Sequence, residues 1–206
     1  MSDNVLSHQG SYAKGEEDLW LIDQFPQGFT GYAVELGALD GTTISCTKLL
    51  EERGWTVLCI EPNPRHQSAL RSSRRLVMTC ACDREPSVKA TMWEDPTTPG
   101  FTLTSLQPDG VAVIRDRTAW TSFVTTVLTL DQCLMVAGFP SLDVLVLDVD
   151  GIEARIIQGF DIDRWNPKAV IVEGEADDRL VPFLSRGYKQ VGIRPDDNRL
   201  LVRGVA

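Results

Sequence analysis

Tyr32-Ala33-Val34-Glu35-Leu36-Gly37-Ala38-Leu39-Asp40-Gly41 runs a nearly continuous apolar segment into a glycine-bearing turn. A run of this kind suits a strand covered on both faces, as in a parallel sheet. A helix-length segment at 44–53 follows and stops at Gly54, the expected terminating residue. The unit then recurs. A strand at 55–60 (WTVLCI) is halted by Glu61-Pro62-Asn63-Pro64, and a helix at 66–75 leads to a strand at 76–81. After a break come a strand at 142–147 (LDVLVL), a helix at 152–158 and a strand at 169–172. A helix at 178–186 is closed by Gly187, and two facing strands follow at 188–193 and 199–203. This alternation predicts an α/β fold: a doubly wound, mostly parallel, seven-stranded sheet with helices on both faces, ending in an antiparallel hairpin. The chain reads as a single domain over 1–206, with an N-terminal cap at 1–30 and an irregular insertion at 84–130. There Pro86, Pro96, Pro99, Gly100, Pro108 and Gly110 punctuate short β-prone pieces at 111–115 and 122–130.

The 206 residues hold 20 Lys and Arg against 29 Asp and Glu, a net charge of −9, and 43% are apolar. Such a composition excludes disordered and collagen-like chains. The acidity argues against nucleic acid as a partner, because that affinity rests on basic side chains displacing counterions. The one basic stretch, from Arg71 to Arg75 with Arg84 beyond it, reads as a solvated helix end. No run approaches the roughly 18 apolar residues of a membrane helix, and residues 1–15 lack a signal-like apolar segment, so a cytoplasmic protein with no membrane partner is expected. Five cysteines, an odd number, suit a reducing compartment. Cys80 and Cys82 by themselves make a weak metal motif, since alternate residues of a strand share a face and no second Cys or His pair stands at zinc spacing.

In open doubly wound sheets, ligands bind outside the carboxyl ends of the strands. Here each end carries an acid: Glu35 and Asp40, Glu61, Asp83, Asp148 with Asp150, and Glu173 with Glu175. A positively charged sulfonium cofactor suits that row. The spacing E-x-G-x-x-x-G over 35–41 departs from the G-x-G-x-x-G of dinucleotide sites, and Glu35 there would repel a pyrophosphate while suiting an ammonium. Gly37 and Gly41 leave room for backbone to approach a cofactor. Glu61 can accept both hydroxyls of a ribose, with Pro62 restricting the backbone beside it. A nicotinamide oxidoreductase is further disfavoured because no Tyr-x-x-x-Lys pair is present; Tyr12 and Lys14 stand at the wrong spacing.

Several segments, in order, resemble the FkbM-type methyltransferases. They are Ser11-Tyr12-Ala13-Lys14-Gly15-Glu16-Glu17-Asp18, the 35–41 loop, Leu58-Cys59-Ile60-Glu61-Pro62-Asn63-Pro64, Thr129-Leu130-Asp131, Leu147-Asp148-Val149-Asp150-Gly151-Ile152-Glu153 and Val170-Ile171-Val172-Glu173. The resemblance implies a Rossmann-like class I methyltransferase fold and S-adenosylmethionine-dependent methylation of a hydroxyl on a small molecule such as a sugar or natural product. It also implies that Glu35, Gly37, Ala38 and Gly41 line the methionine part, that Glu61 holds the ribose and that Asp83 lies near the adenine. Asp40, Pro62, Asn63 and Asp148 complete the expected cofactor-binding set. Two positions depart from the family pattern. Leu39 stands where members often have Asn or His, and Asp150 where Glu is common.

Methyl transfer from a sulfonium needs alignment and removal of the acceptor's proton. With only His8 and His66 available, both expected at the surface, carboxylates are the candidates. Asp148 and Glu173 are the expected catalytic pair; with Glu175 they form the expected ligand set if Mg²⁺ takes part. Glu153 and Glu175 also suit helix starts. Acceptor contacts are expected from Tyr12, Trp20, Trp93, Phe101, Trp120, Phe123 and Ser105. N-methylation, or an inactive cofactor-binding or partner-binding module of the same fold, stands as the alternative. A homodimer is a reasonable assembly.

Overall fold

The computed structural model describes residues 10–94, 104–105, 121–149, 151–174 and 177–204. Helix α1 (Glu17–Asp23) precedes β1 (Tyr32–Leu36), α2 (Lys48–Glu52), β2 (Thr56–Ile60), α3 (Gln67–Ser73) and β3 (Leu76–Met78). Next come β4 (Ala81–Cys82), β5 (Ser87–Glu94), β6 (Thr104–Ser105) and β7 (Thr121–Leu128). The chain finishes with α4 (Leu130–Val136), β8 (Val144–Leu147), α5 (Glu153–Gln158), α6 (Ile162–Trp165), β9 (Ala169–Glu173), α7 (Asp177–Leu184), β10 (Tyr188–Arg194) and β11 (Asn198–Arg203).

Seven strands form the main sheet in the order β3-β2-β1-β8-β9-β11-β10. All inner pairings are parallel except those of β11, which runs antiparallel to both β9 and β10. This is the Rossmann-like methyltransferase architecture: the order reverses between β1 and β8, and the last strand inserts backwards. The apolar runs explain why both faces are covered. Val34, Leu36, Leu58, Ile60, Leu145, Leu147, Val170 and Val172 enter one core together with Leu130, Leu134, Ile156 and Phe183 from the helices after β7. The alternate residues Ala33, Val57, Cys59, Val144, Val146, Ala169 and Ile171 enter a second core with Leu21, Leu50 and Leu70 of α1, α2 and α3. A side chain such as Leu134, fully removed from water, contributes about 1.5–3 kcal/mol.

Three expectations change. The helix expected at 44–53 is only α2, because residues 42–47 are drawn into side-chain networks around Asp40 and Glu35. The strand expected at 76–81 divides: β3 stays in the main sheet, while β4 pairs in parallel with β7 in a second sheet ordered β4-β7-β5-β6. That sheet occupies the expected irregular insertion; the piece at 111–115 lies outside the described residues. Helix α4, absent from the sequence reading, begins with a capping box in which Thr129 and Gln132 satisfy each other's backbone N–H. Among the described residues, no helix is long and apolar enough to cross a membrane.

Candidate functional site

The sheet register lines up the residues that follow the central strands. Leu36 is level with Ile60 on one side and Leu147 on the other, and Leu147 is level with Val172. Continuing each strand by one residue sets Glu61, Gly37, Asp148 and Glu173 side by side at the carboxyl edge, across the point where the strand order reverses. Glu173 is in turn level with Asn198. Neighbouring strands lie about 4.8 Å apart, so four of the expected site residues share one edge.

Beside this row a narrow cleft is lined by Glu35, Gly37, Ala38, Thr43, Ile44, Ser45, Cys46 and Asp148. Gly37 has φ +80°, and a Cβ there would lie 1.9 Å from the carbonyl oxygen of Asp148. Gly41 has φ +83°, and its Cβ would lie 2.5 Å from Ser73 Oγ and from Arg74 Cγ. Both glycines are therefore required by close approach of the protein to itself, a nearer cause than approach of a cofactor.

Glu35 is buried and densely engaged. Oε1 accepts from the Cys46 N–H (2.7 Å); Oε2 accepts from the Ser45 hydroxyl (2.8 Å), the Thr47 hydroxyl (2.6 Å) and Arg74 Nη1 (3.2 Å). Its carboxylate organises the loop that follows β1. Arg74 is the unexpected partner. The sequence places it in a solvated basic stretch, but its backbone turns extended at the end of α3 and its side chain is fully buried between Glu35 and Glu51, each 3.2 Å away. No local pattern marks it, because its neighbours Arg71 and Arg75 are exposed.

Asp40 accepts from the backbone N–H groups of Thr42 (2.9 Å) and Thr43 (2.7 Å) and from the Thr43 hydroxyl (2.7 Å). Burial alone would raise its pKa, but the Thr43 hydroxyl and the backbone donors outweigh burial and hold it below the usual carboxylate value. Glu61 is buried with its carboxylate clamped by the Leu39 N–H (3.1 Å) and the Asn63 N–H (2.7 Å). Leu39 itself has φ +46°, a left-handed conformation that Asn and His adopt more readily than Leu, which accounts physically for the residues common at that position.

Asp83 forms a two-pronged pair with Arg155 of α5, to Nε at 3.0 Å and Nη2 at 2.5 Å. Glu153 performs the expected service at a helix start: its Oε1 accepts from the N–H groups of Val149 and Gly151, tying down the loop after β8. Arg179, which the sequence does not single out, binds Glu153 Oε2 (3.1 Å) and donates to the Glu173 carbonyl (2.7 Å), linking the ends of β8 and β9. Asp150 and Glu175 lie outside the described residues. Among the described residues, the group of three or more potential metal ligands brought together is Cys80, Cys82 and Cys133, not a set of carboxylates. The expectation of Mg²⁺ at Asp148 and Glu173 thus gains no support.

His66 is half-buried rather than a surface residue, and burial pushes its pKa down; its Nε2 makes no hydrogen bond among the described residues. Tyr12 donates to Glu52 (2.7 Å), Trp20 packs against the second core, and Phe123 packs on the small sheet. Trp93 is level with Ser105 across β5 and β6. His8, Phe101 and Trp120 lie outside the described residues. Asp131 receives the indole N–H of Trp165 (3.0 Å) and the Asp161 N–H, a structural role.

A sheet of this order, with acids along its carboxyl edge and a glycine turn at its reversal point, defines the class as a Rossmann-like methyltransferase fold. The family model described as the methyltransferase FkbM domain matches residues 35–189, and the chain belongs to that family. It is a methyltransferase. Among curated proteins, none matches the chain.

Proposed function

We propose that the chain transfers the methyl group of S-adenosylmethionine to a hydroxyl of a small molecule such as a sugar or natural product. The observation that carries this reading is the row Glu61, Gly37, Asp148 and Glu173 at the sheet reversal, flanked by the cleft over the 35–46 loop. The residues present suit the cofactor. Glu61, clamped by two backbone N–H groups, stands at the strand end where a ribose diol would be accepted, and Gly37 and Ala38 bring backbone to the cleft wall. When bound, S-adenosylmethionine supplies a methyl group already activated by its sulfonium. Glu35 acts by holding the 41–47 loop through Arg74 and the Ser45 and Thr47 hydroxyls, which is a positioning role. Asp148, lining the cleft, is the group assigned to orient the acceptor hydroxyl or receive its proton, a contribution of typically 10²–10⁴-fold for general base catalysis.

The test is calorimetric titration with S-adenosylmethionine and S-adenosylhomocysteine, followed by mass-spectrometric detection of methyl transfer to a panel of hydroxylated acceptors. Micromolar binding, weakened at least tenfold in Glu61→Ala, about 1.4 kcal/mol, supports the cofactor assignment. Loss of turnover in Asp148→Asn with binding kept supports its role at the acceptor. Absence of binding to both ligands overturns the reading, and methylation confined to amine acceptors replaces the hydroxyl by nitrogen.

A further inference from the structure

Three thiols from two distant parts of the chain converge in the core. Cys80 and Cys82 flank Ala81 at β4, and Cys133 comes from α4. Cys133 Sγ lies 3.7 Å from Cys80 Sγ and 3.6 Å from Cys82 Sγ, and all three sulfurs lie within 4.8 Å of one another. None is bonded to another, and all three are buried. They share the core that contains Leu130, Leu134 and Ile156. The other two cysteines, Cys46 and Cys59, belong to the core on the opposite face of the sheet.

We propose that Cys80, Cys82 and Cys133 form a thiolate site for a soft divalent cation of the zinc class. A Zn–S bond of about 2.3 Å at tetrahedral angles sets sulfur to sulfur at about 3.8 Å, close to the two separations seen. Thiolate sulfur selects soft cations over Mg²⁺ or Ca²⁺. The binding step balances as one divalent cation plus three thiols giving a tris-thiolate complex of net charge −1 and three released protons. The cation cancels two of the three thiolate charges, which is what lets the set ionise in an apolar core. Ala81 and Cys82 lead directly to Asp83, so an ion here ties α4 to β4 one residue before the carboxylate that pairs with Arg155. The proposal is independent of the methyl acceptor and of cofactor binding.

The full chain, reduced and freed of metal by refolding with a chelator, is titrated with Cd²⁺ and, separately, with Zn²⁺ against a competing chelator. The expected result is one cation per chain, a sulfur-to-cadmium charge-transfer band in the ultraviolet, about three protons released in weak buffer, and a raised Tm with Cd²⁺ or Zn²⁺ but not Mg²⁺. Burial of all three sulfurs makes loading faster during refolding than into the folded chain. Cys133→Ser should lower affinity at least a hundredfold, and Cys59→Ala should leave it unchanged. The absence of a charge-transfer band in the wild-type chain refolded with Cd²⁺ overturns the site and leaves three thiols packed as small apolar residues. That result needs no variant to fold. A band retained at full strength in folded Cys133→Ser overturns it equally.

Discussion

Removing the guanidinium of Arg74 tests the internal charge network most directly. Arg74→Met keeps a long side chain but deletes contacts with Glu35 and Glu51 (3.2 Å each), with the Gly41 carbonyl (3.1 Å), and with the Ser45 and Thr47 hydroxyls (3.1 and 2.7 Å). Both carboxylates are buried, and among the described residues Lys48, 3.6 Å from Glu51, is the other cation paired with either of them. Breaking a buried pair leaves charge uncompensated and costs about 3–5 kcal/mol. Set against the roughly 5–15 kcal/mol total stability of a domain, that is a large fraction. With a urea slope of about 3 kcal/mol/M, the unfolding midpoint should fall by about 1–1.7 M. Glu35→Gln combined with Arg74→Met should be less damaging than the two single changes added, by more than about 1 kcal/mol of coupling. Arg74→Lys should fall between wild type and Met, because one ammonium cannot span both carboxylates as a planar fork does. Urea unfolding followed by circular dichroism measures all four variants. A loss below 1 kcal/mol for Arg74→Met, or strict additivity in the pair, would show that the network does not act as a unit.

Three further outcomes are expected. Leu39→Asn, at φ +46° and with its N–H still available to Glu61, should raise stability by about 0.5–1 kcal/mol, since Asn tolerates the left-handed region better; a lower unfolding midpoint would contradict the strain argument. Gly37→Ala would force a Cβ to 1.9 Å from the Asp148 carbonyl at a positive φ, so the turn after β1 or the one after β8 must shift, and S-adenosylhomocysteine binding measured by calorimetry should be lost; near-wild-type affinity would remove the cleft from the cofactor site. The pKa of Asp40 is lower in the folded chain than in the unfolded one, so its stabilisation is complete above the unfolded value of about 3.9 and is lost as pH falls below it. Comparing wild type with Asp40→Asn across acid unfolding should show a difference that shrinks as pH drops through that range, and a difference independent of pH would contradict it.

The order of strands and helices, and the acids that end the strands, were legible because they follow from local rules. A strand covered on both faces must be apolar on consecutive residues, as 144–147 and 169–172 are, and a chain leaving a parallel sheet needs turn residues such as Gly37, Pro62 and Gly174. Helix α4 was legible in principle, through the Thr129 and Gln132 capping pattern, but its short length left little periodicity to support it. Side-chain pairing across the fold belongs to another level. Arg74 meets Glu35 from 39 residues away, Arg155 meets Asp83 from 72, and Cys133 reaches Cys80 and Cys82 from 53 and 51. Each partner choice depends on strand order and register, and those arise from burying the two cores together; no spacing along the chain encodes them. The sequence alone therefore determined the architecture and the edge at which chemistry is placed, while tertiary packing decided which charges and thiols on that framework face one another.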